Sequence, residues 1–303
     1  VDVDNLKLTE MKLVLSGVLD GNSEVLTIGG QQFLLGTDYS SIDVGSHLVS
    51  YLASSHTFTI VPDGSTTGAL TGYQSLLRGI SYIHNSDNPT DGNRQITVTV
   101  PDAGASDSSP VSSEQTSPIA VATVNVDPAN DQPRLSGLDA VSYHENALQG
   151  AADWIDQDIT LIDADSANFD GGSITISGLT AGDIVSLPGT VSGAAGLVQL
   201  NGTSVEYHDG NNWVVVGTAS GGNGADFVIG LNAAATPTIA ERILENLTFR
   251  NNSDAPGATR TLSYSVNDGD SGGTVASATL TVTIIRDNDA PTLSATSTTP
   301  SYV

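Results

Sequence analysis

Apolar and polar residues alternate in short runs along the whole of this 303-residue chain. Ser173-Ile174-Thr175-Ile176-Ser177 alternates, as do Arg94 to Val100, Arg260 to Val266 and Ala278 to Ile284. A period of two, rich in Thr, Val and Ile, is the pattern of a strand with one buried face. A helical period is nearly absent, and one short helix is expected over residues 239–246, entered through Thr236-Pro237-Thr238. Asp209-Gly210-Asn211-Asn212, between Val205-Glu206-Tyr207 and Trp213 to Val216, reads as a hairpin turn. Many short strands with Gly-rich and Asp-rich turns predict an all-β chain of β-sandwiches, with at most one short helix in each.

The chain also repeats itself. Asn85-Ser86-Asp87-Asn88-Pro89 returns as Asn252-Ser253-Asp254-Ala255-Pro256, and Arg94, Ile96, Val98, Val100 and Asp102 return as Arg260, Leu262, Tyr264, Val266 and Asp268. Asn130-Asp131-Gln132-Pro133 returns as Asn288-Asp289-Ala290-Pro291, Asp2-Val3-Asp4 as Asp163-Ala164-Asp165, and Ser16-Gly17 as Ser177-Gly178. The offsets run from 158 to 167 residues, so the unit is about 160 residues long. The expected division is a first repeat over 1–133 without its first strand, a complete second repeat over 134–291, and the start of a third over 292–303. Leu293-Ser294 and Ser301-Tyr302-Val303 match Leu135-Ser136 and Ser142-Tyr143-His144. Two explanations stand: a slice of a longer tandem array, or a subunit whose tail supplies the next copy's first strand in a head-to-tail fibre.

Acidity decides which partners are excluded. Asp and Glu number 34 against 9 Lys and Arg, giving a formal charge of −25. Nucleic acid and anionic membrane surfaces are repelled by such a surface. No run of apolar residues reaches the ~18 needed for a membrane span, and the absence of Cys rules out disulfides and thiolate metal sites. Of the acids, 27 are Asp, a loop former and a ligand for hard cations. A solvated, salt-adapted surface is the alternative reading of many of them.

No enzyme constellation is present: there is no His-Glu-x-x-His, no Gly-x-Ser-x-Gly and no phosphate loop. His47, His56, His84, His144 and His208 are scattered without ligand spacing, and aromatic residues at 5% leave little to line a sugar-cleaving cleft, so no enzyme is expected. The acidic motifs are more informative. Asp163-Ala164-Asp165-Ser166 follows the strand-like Ile159 to Ile162, Asp268-Gly269-Asp270 follows another strand, and Glu145-Asn146 closes Val141-Ser142-Tyr143. These are hard oxygen donors on short loops, and Ca²⁺ accepts six to eight such oxygens in irregular geometry. The competing reading of each is an Asp or Asn that merely closes a turn, and for Asn85-Ser86-Asp87 and Asn252-Ser253-Asp254 turn capping is the simpler account.

In this order, twice over, Asp163-Ala164-Asp165-Ser166, Asp268, Asn288-Asp289-Ala290-Pro291 and Glu145 resemble the motif set of cadherin repeats. The chain is more closely similar to the long cadherin-like repeats of large bacterial surface adhesins. The resemblance implies tandem cadherin-like or immunoglobulin-like β-sandwiches joined end to end and stiffened by Ca²⁺. It implies one calcium cluster from Asn130, Asp131, Asp163, Asp165 and Asp268, and a second at the far end from Glu145, Asn288 and Asp289. Asp2, Asp4 and Asp102 would face a linker upstream. The chain departs from animal cadherins in lacking their full Asp-x-Asn-Asp-Asn linker and their Asp-Arg-Glu motif, for which Glu241-Arg242 is a poor substitute.

The expected function is a calcium-rigidified spacer or adhesion repeat of an extracellular, bacterial surface or secreted protein, with neighbouring repeats as its partners. Two alternatives remain: the head-to-tail fibre, and a carbohydrate-binding face around Tyr207, His208, Trp213 and Trp154 on cell-surface or matrix glycans.

Overall fold

Strands form where the alternation places one residue in two out of water. Met11, Leu13 and Leu15 are buried while Lys12 and Val14 between them are not, and Ile174 and Ile176 are buried between partly exposed Ser and Thr. The computed structural model describes residues 7–65, 68–100, 119–270 and 275–291. It divides into two compact units, Val1–Ala129 and Asn130–Val303. The sequence places the division four residues later. Asp2, Asp4 and Asp102, and the expected third repeat at 292–303, lie outside the described residues.

The first unit runs β1 (Lys7–Leu8), β2 (Met11–Ser16), β3 (Glu24–Ile28), β4 (Gln31–Leu34), β5 (Tyr39–Asp43), β6 (His47–Leu52), β7 (Thr57–Pro62), β8 (Gly68–Ala69), α1 (Leu70–Arg78), β9 (Ser81–His84), β10 (Gly92–Thr99) and β11 (Ala120–Val126). A six-stranded sheet in the order β11-β10-β2-β7-β6-β5 and a three-stranded sheet β4-β3-β9 enclose a core that includes Met11, Leu13, Leu26, Ile28, Phe33, Phe58 and Ile60.

The second unit runs β12 (Arg134–Ser136), β13 (Val141–His144), α2 (Glu145–Gly150), β14 (Asp153–Trp154), β15 (Thr160–Ile162), β16 (Ser173–Ser177), β17 (Asp183–Ser186), β18 (Val198–Asn201), β19 (Ser204–His208), β20 (Trp213–Gly221), β21 (Phe227–Leu231), α3 (Pro237–Glu245), β22 (Thr248–Asn251), β23 (Thr259–Asn267) and β24 (Ala276–Ile285). Its large sheet is β13-β24-β23-β16-β21-β20-β19-β18 and its small sheet β14-β22-β17, packed about Ile174, Ile229, Phe249, Leu262, Tyr264 and Val282. The protein is all-β, built as tandem sandwich repeats.

The repeat is visible in the pairing. Glu24 faces His84 across β3 and β9, and Asp183 faces Asn251 across β17 and β22. Gly17 and Gly178 have φ of 78° and 91°, and a Cβ on either would overlap the carbonyl oxygen of Asn93 or Thr261 on the adjoining strand. The repeated Ser-Gly therefore marks a close backbone approach that only glycine permits. The hairpin forms as expected, with His208 opposite Trp213 and Asp209 Oδ1 accepting the N–H groups of Asn211 and Asn212.

The helices differ from expectation. The expected helix is α3, whose Thr236 hydroxyl accepts the Ile239 N–H at 3.3 Å ahead of Pro237. The second unit carries α2 as well, so it has two helices rather than at most one. Only six residues long, α2 lacks a readable period and is held by burial of Glu145 and Leu148. In the first unit α1 corresponds to α3, and it buries Tyr73 and Leu76 despite Gly72 in its first turn.

Candidate metal centre and the buried charges

Asp163 follows β15 and its Oδ1 accepts the N–H groups of Asp165 (3.2 Å) and Ser166 (2.9 Å), which closes the turn. That is the whole of the turn-forming role. Its second oxygen, Oδ2, is buried and has no hydrogen-bond partner. Asp165 Oδ2 accepts the Asp131 N–H at 2.8 Å. Asp268, at the end of β23, is fully buried; Oδ1 accepts the Asp270 N–H (3.0 Å) and Oδ2 the Asn130 side-chain amide (3.1 Å). Ser166 Oγ donates to Asp270 Oδ2 at 3.4 Å.

Hydrogen bonds thus run in a closed ring from Asn130 through Asp268, Asp270, Ser166, Asp163 and Asp165 to Asp131, the neighbour of Asn130 in the chain. The structure brings Asn130, Asp131, Asp163, Asp165 and Asp268 into one constellation inside the second unit, and adds Asp270 and Ser166. Among the described residues no ion pair includes Asp163, Asp268 or Asp270. A buried carboxylate without a counter-charge is costly, and neighbouring carboxylates repel by ~1 kcal/mol at 4 Å in water and ~4 at an effective dielectric of 20. A divalent cation with carboxylate, amide and hydroxyl oxygens removes both penalties, and the orphan Oδ2 of Asp163 is a donor for it. The donor chemistry suits Ca²⁺, although no three of the ring's carboxylates bring ligand atoms within 4.8 Å of one another, so the side chains would have to close in to share one ion.

Beyond the other end of β23, a strand of nine residues and about 26 Å at ~3.3 Å per residue, lies Glu145. It is buried, with Oε2 accepting the Asp287 N–H at 3.3 Å and Oε1 the Gln149 side chain at 3.4 Å. Gln149 also donates to Ser253 O and Asp254 Oδ1. Asp287 receives His144 Nδ1 at 3.0 Å and the Asn146 N–H at 3.1 Å, and these bonds hold its carboxyl below the ordinary range. Asn288 and Asp289 sit on the exposed segment after β24, and no hydrogen bond ties them to Glu145. The linker residue that meets Glu145 is Asp287, through its backbone N–H, one residue before the Asn-Asp-Ala-Pro motif. Asn252-Ser253-Asp254 is a turn as expected: Ser253 Oγ accepts the Ala255 N–H, as Ser86 Oγ accepts that of Asn88.

The only described group of three carboxylates or imidazoles with ligand atoms all within 4.8 Å of one another is Asp20, Glu24 and His84. A side chain already fills its centre. Arg94, fully buried, donates from Nη2 to Asp20 (2.8 Å) and Glu24 (3.1 Å), and from Nη1 to the Thr90 and Gly92 carbonyls. His84 Nδ1 accepts the Ser86 N–H, so Nε2 carries the proton it offers Asp20. Burial pushes the Asp20 carboxyl up, but hydrogen bonds from Thr90 and His84 outweigh it and hold the group at about 2. The second unit has the same device in other residues: Arg260 and Asn251 donate to Asp183 at 2.7 Å each. There too burial raises the carboxyl, and bonds from Arg260, Thr180 and Asn251 more than reverse it. These buried pairs are structural.

The expected carbohydrate face divides. His208 and Trp213 pack edge to face at 5.0 Å on the β19–β20 hairpin, whereas Trp154 stands on β14 in the small sheet. No described helix is long and apolar enough to cross a membrane.

No protein-family model matches the chain. No curated protein matches it. Among solved structures it is similar to protocadherin gamma B2 extracellular cadherin domains 1-5, at 12% identity over 95% of this chain and 42% of that one, with a TM-score of 0.28. It is similar to domains 3-6 of the same protein, at 11% identity over 90% and 49%, with a TM-score of 0.30. It is also similar to EC21-23 of human CDH23, at 12% identity over 91% and 58%, with a TM-score of 0.25. The chain spans about half the length of these cadherin ectodomains.

Proposed function

We propose that this chain is a calcium-stiffened spacer and adhesion segment of an extracellular protein displayed on, or secreted from, a bacterial cell. The observation that carries the reading is the ring closed by Asn130 and Asp131, with Asp268 buried without a counter-charge and Asp163 Oδ2 buried without a partner. Bound there, Ca²⁺ supplies the missing positive charge. Asn130, Asp131, Asp163, Asp165 and Asp268, with Asp270, hold it, and the segment entering the second unit loses its freedom to hinge. Glu145 and Asp287, with Asn288 and Asp289 beside them, are the proposed half of a second site, as Asp2, Asp4 and Asp102 are of a third. The test is thermal unfolding with calcium, with magnesium and with EDTA. Calcium is expected to stabilise by ~2.7 kcal/mol at a hundredfold excess over Kd, and Asp163→Ala with Asp165→Ala is expected to abolish most of that gain. Equal stabilisation of the double variant would place the ion elsewhere.

One observation favours a second reading, assembly by strand addition. In the second unit β13 lies parallel on the edge strand β24 and buries Tyr143. In the first unit the corresponding edge belongs to β11, which has a described partner on one side only and leaves Val121 55% exposed. A strand like Val141–His144, from a neighbouring repeat or a second copy, fits that edge. Sedimentation that stays monomeric at high concentration, unchanged by a peptide covering 139–156, would remove it.

A further inference from the structure

The small sheet of the second unit turns Phe249, Val185, Asp183 and Asn251 inward, so Thr248, Arg250, Ile184 and Ser186, which alternate with them, share the outer face. Trp154, Thr248 and Ser186 lie in one row across β14, β22 and β17, and Arg250 pairs with Ile184 in the next row. These residues line, with Pro188, a groove of about 380 Å³, within the ~300–1,000 Å³ of small-ligand sites. Trp154 is 40% exposed. It stands diagonally across from Arg250, a relation that spans about 7–8 Å on a sheet.

Arg250 is the one charged side chain lining the groove, in a chain where acids outnumber bases 34 to 9. Arg94, Arg242 and Arg260 pair with carboxylates, whereas Arg250, like Arg78, Arg134 and Arg286, does not. Among the described residues Arg250 has no ion pair, and its Nε is buried without a hydrogen-bond partner. The corresponding residue of the first repeat, next to His84 as Arg250 is to Asn251, is Ile83, so the feature belongs to the second repeat alone. The groove's hydroxyls have already spent their protons: Thr248 Oγ1 donates to Ser186 O and Ser186 Oγ to Leu187 O. Towards the groove they offer lone pairs.

From these groups we infer that the groove is a subsite for a single carboxylated sugar ring, a uronic acid residue, whose one carboxylate meets the groove's one cationic side chain. The Arg250 fork takes the carboxylate in two parallel hydrogen bonds. The Trp154 indole covers the apolar C–H face of the pyranose, and the Ser186 and Thr248 oxygens accept from sugar hydroxyls. An acidic peptide satisfies the arginine but brings no ring face to the indole and few hydroxyl donors. The site shares no residue with the acidic ring, so it stands apart from the calcium reading and is tested in EDTA.

The experiment follows tryptophan fluorescence and calorimetry of the full chain with tetragalacturonate, its methyl ester and hexaglutamate, in a Trp213→Phe background so that Trp154 alone reports. Tetragalacturonate is expected to shift the emission and to bind about tenfold or more tightly than the ester, from the loss of a charge-assisted pair. Arg250→Gln and Trp154→Ala are each expected to lose about tenfold or more by the same arithmetic, with melting temperatures unchanged. Trp154→Phe keeps an aromatic face and binding should largely survive, which separates loss of the ligand contact from loss of fold. No binding, equal binding of acid and ester, or binding indifferent to Arg250→Gln would overturn the proposal. So would tighter binding of hexaglutamate with the same dependence on Arg250, which would make the groove a peptide site.

Discussion

Arg260 donates from Nε to Asp183 Oδ2 at 2.7 Å, with both side chains out of water. The first repeat places Arg94 on Glu24 and Asp20 at the corresponding position, so the repeat conserves a buried charge pair while changing the acid that makes it. Removing one partner strands the other. Arg260→Met is expected to cost ~3–5 kcal/mol, and Arg260→Met with Asp183→Leu to recover most of it. Urea unfolding followed by tryptophan fluorescence reads this directly, because Trp154 and Trp213 both lie in the second unit. Equal losses in the single and double variants would show that packing, not charge, is at stake.

Asp268 behaves oppositely. It is a buried carboxylate with hydrogen bonds but, among the described residues, no basic side chain paired to it. Asp268→Asn is expected to leave stability in EDTA unchanged or higher, while removing most of the gain on adding calcium. Differential scanning calorimetry with and without calcium separates the two effects. A large loss in EDTA would mean that Asp268 is held by its hydrogen bonds alone.

Gly178 and Gly17 are expected to tolerate nothing larger. Gly178→Ala puts a Cβ on the Thr261 carbonyl at φ 91°, and Gly17→Ala repeats the overlap on Asn93. Each is expected to cost well over ~1 kcal/mol. Denaturant midpoints decide it; a shift within error would mean that the adjoining strand yields.

Acid is expected to weaken the fold through the buried carboxylates. The Asp20 carboxyl is held at about 2 and that of Asp183 is also lowered. A depressed folded value stabilises above the unfolded value of ~3.9, and that share is lost as pH falls from ~4 towards 2. The difference between the native chain and Asp20→Asn in EDTA is expected to shrink over that range. A difference constant with pH would mean that Asp20 is not ionised against its partners.

Most strands were legible because a period of two is a local signal: Ser173–Ser177 is a strand end to end. The helix α2 was not, since six residues carry no period and its stability comes from burying Leu148. The linker acids were legible as types and not as contacts. Asn288 and Asp289 look like Asn130 and Asp131, yet the hydrogen bond to Glu145 comes from the backbone N–H of Asp287. A motif records which residues recur, and hydrogen bonding depends on which of them the backbone turns inward.

By itself the sequence determined an all-β chain in two copies of one unit, rich in hard oxygen donors near the strand ends, because alternation, glycine turns and repeats act within reach of their own neighbours. Only the tertiary structure decided which charges are paired. It set Arg94 among Asp20, Glu24 and His84, which by composition alone resemble a metal site. Among the described residues it also set no basic side chain on Asp268 or the Asp163 Oδ2 and no acidic one on Arg250. Pairing of charges 70 or more residues apart is fixed by strand register and burial, and neither is written in any short stretch of sequence.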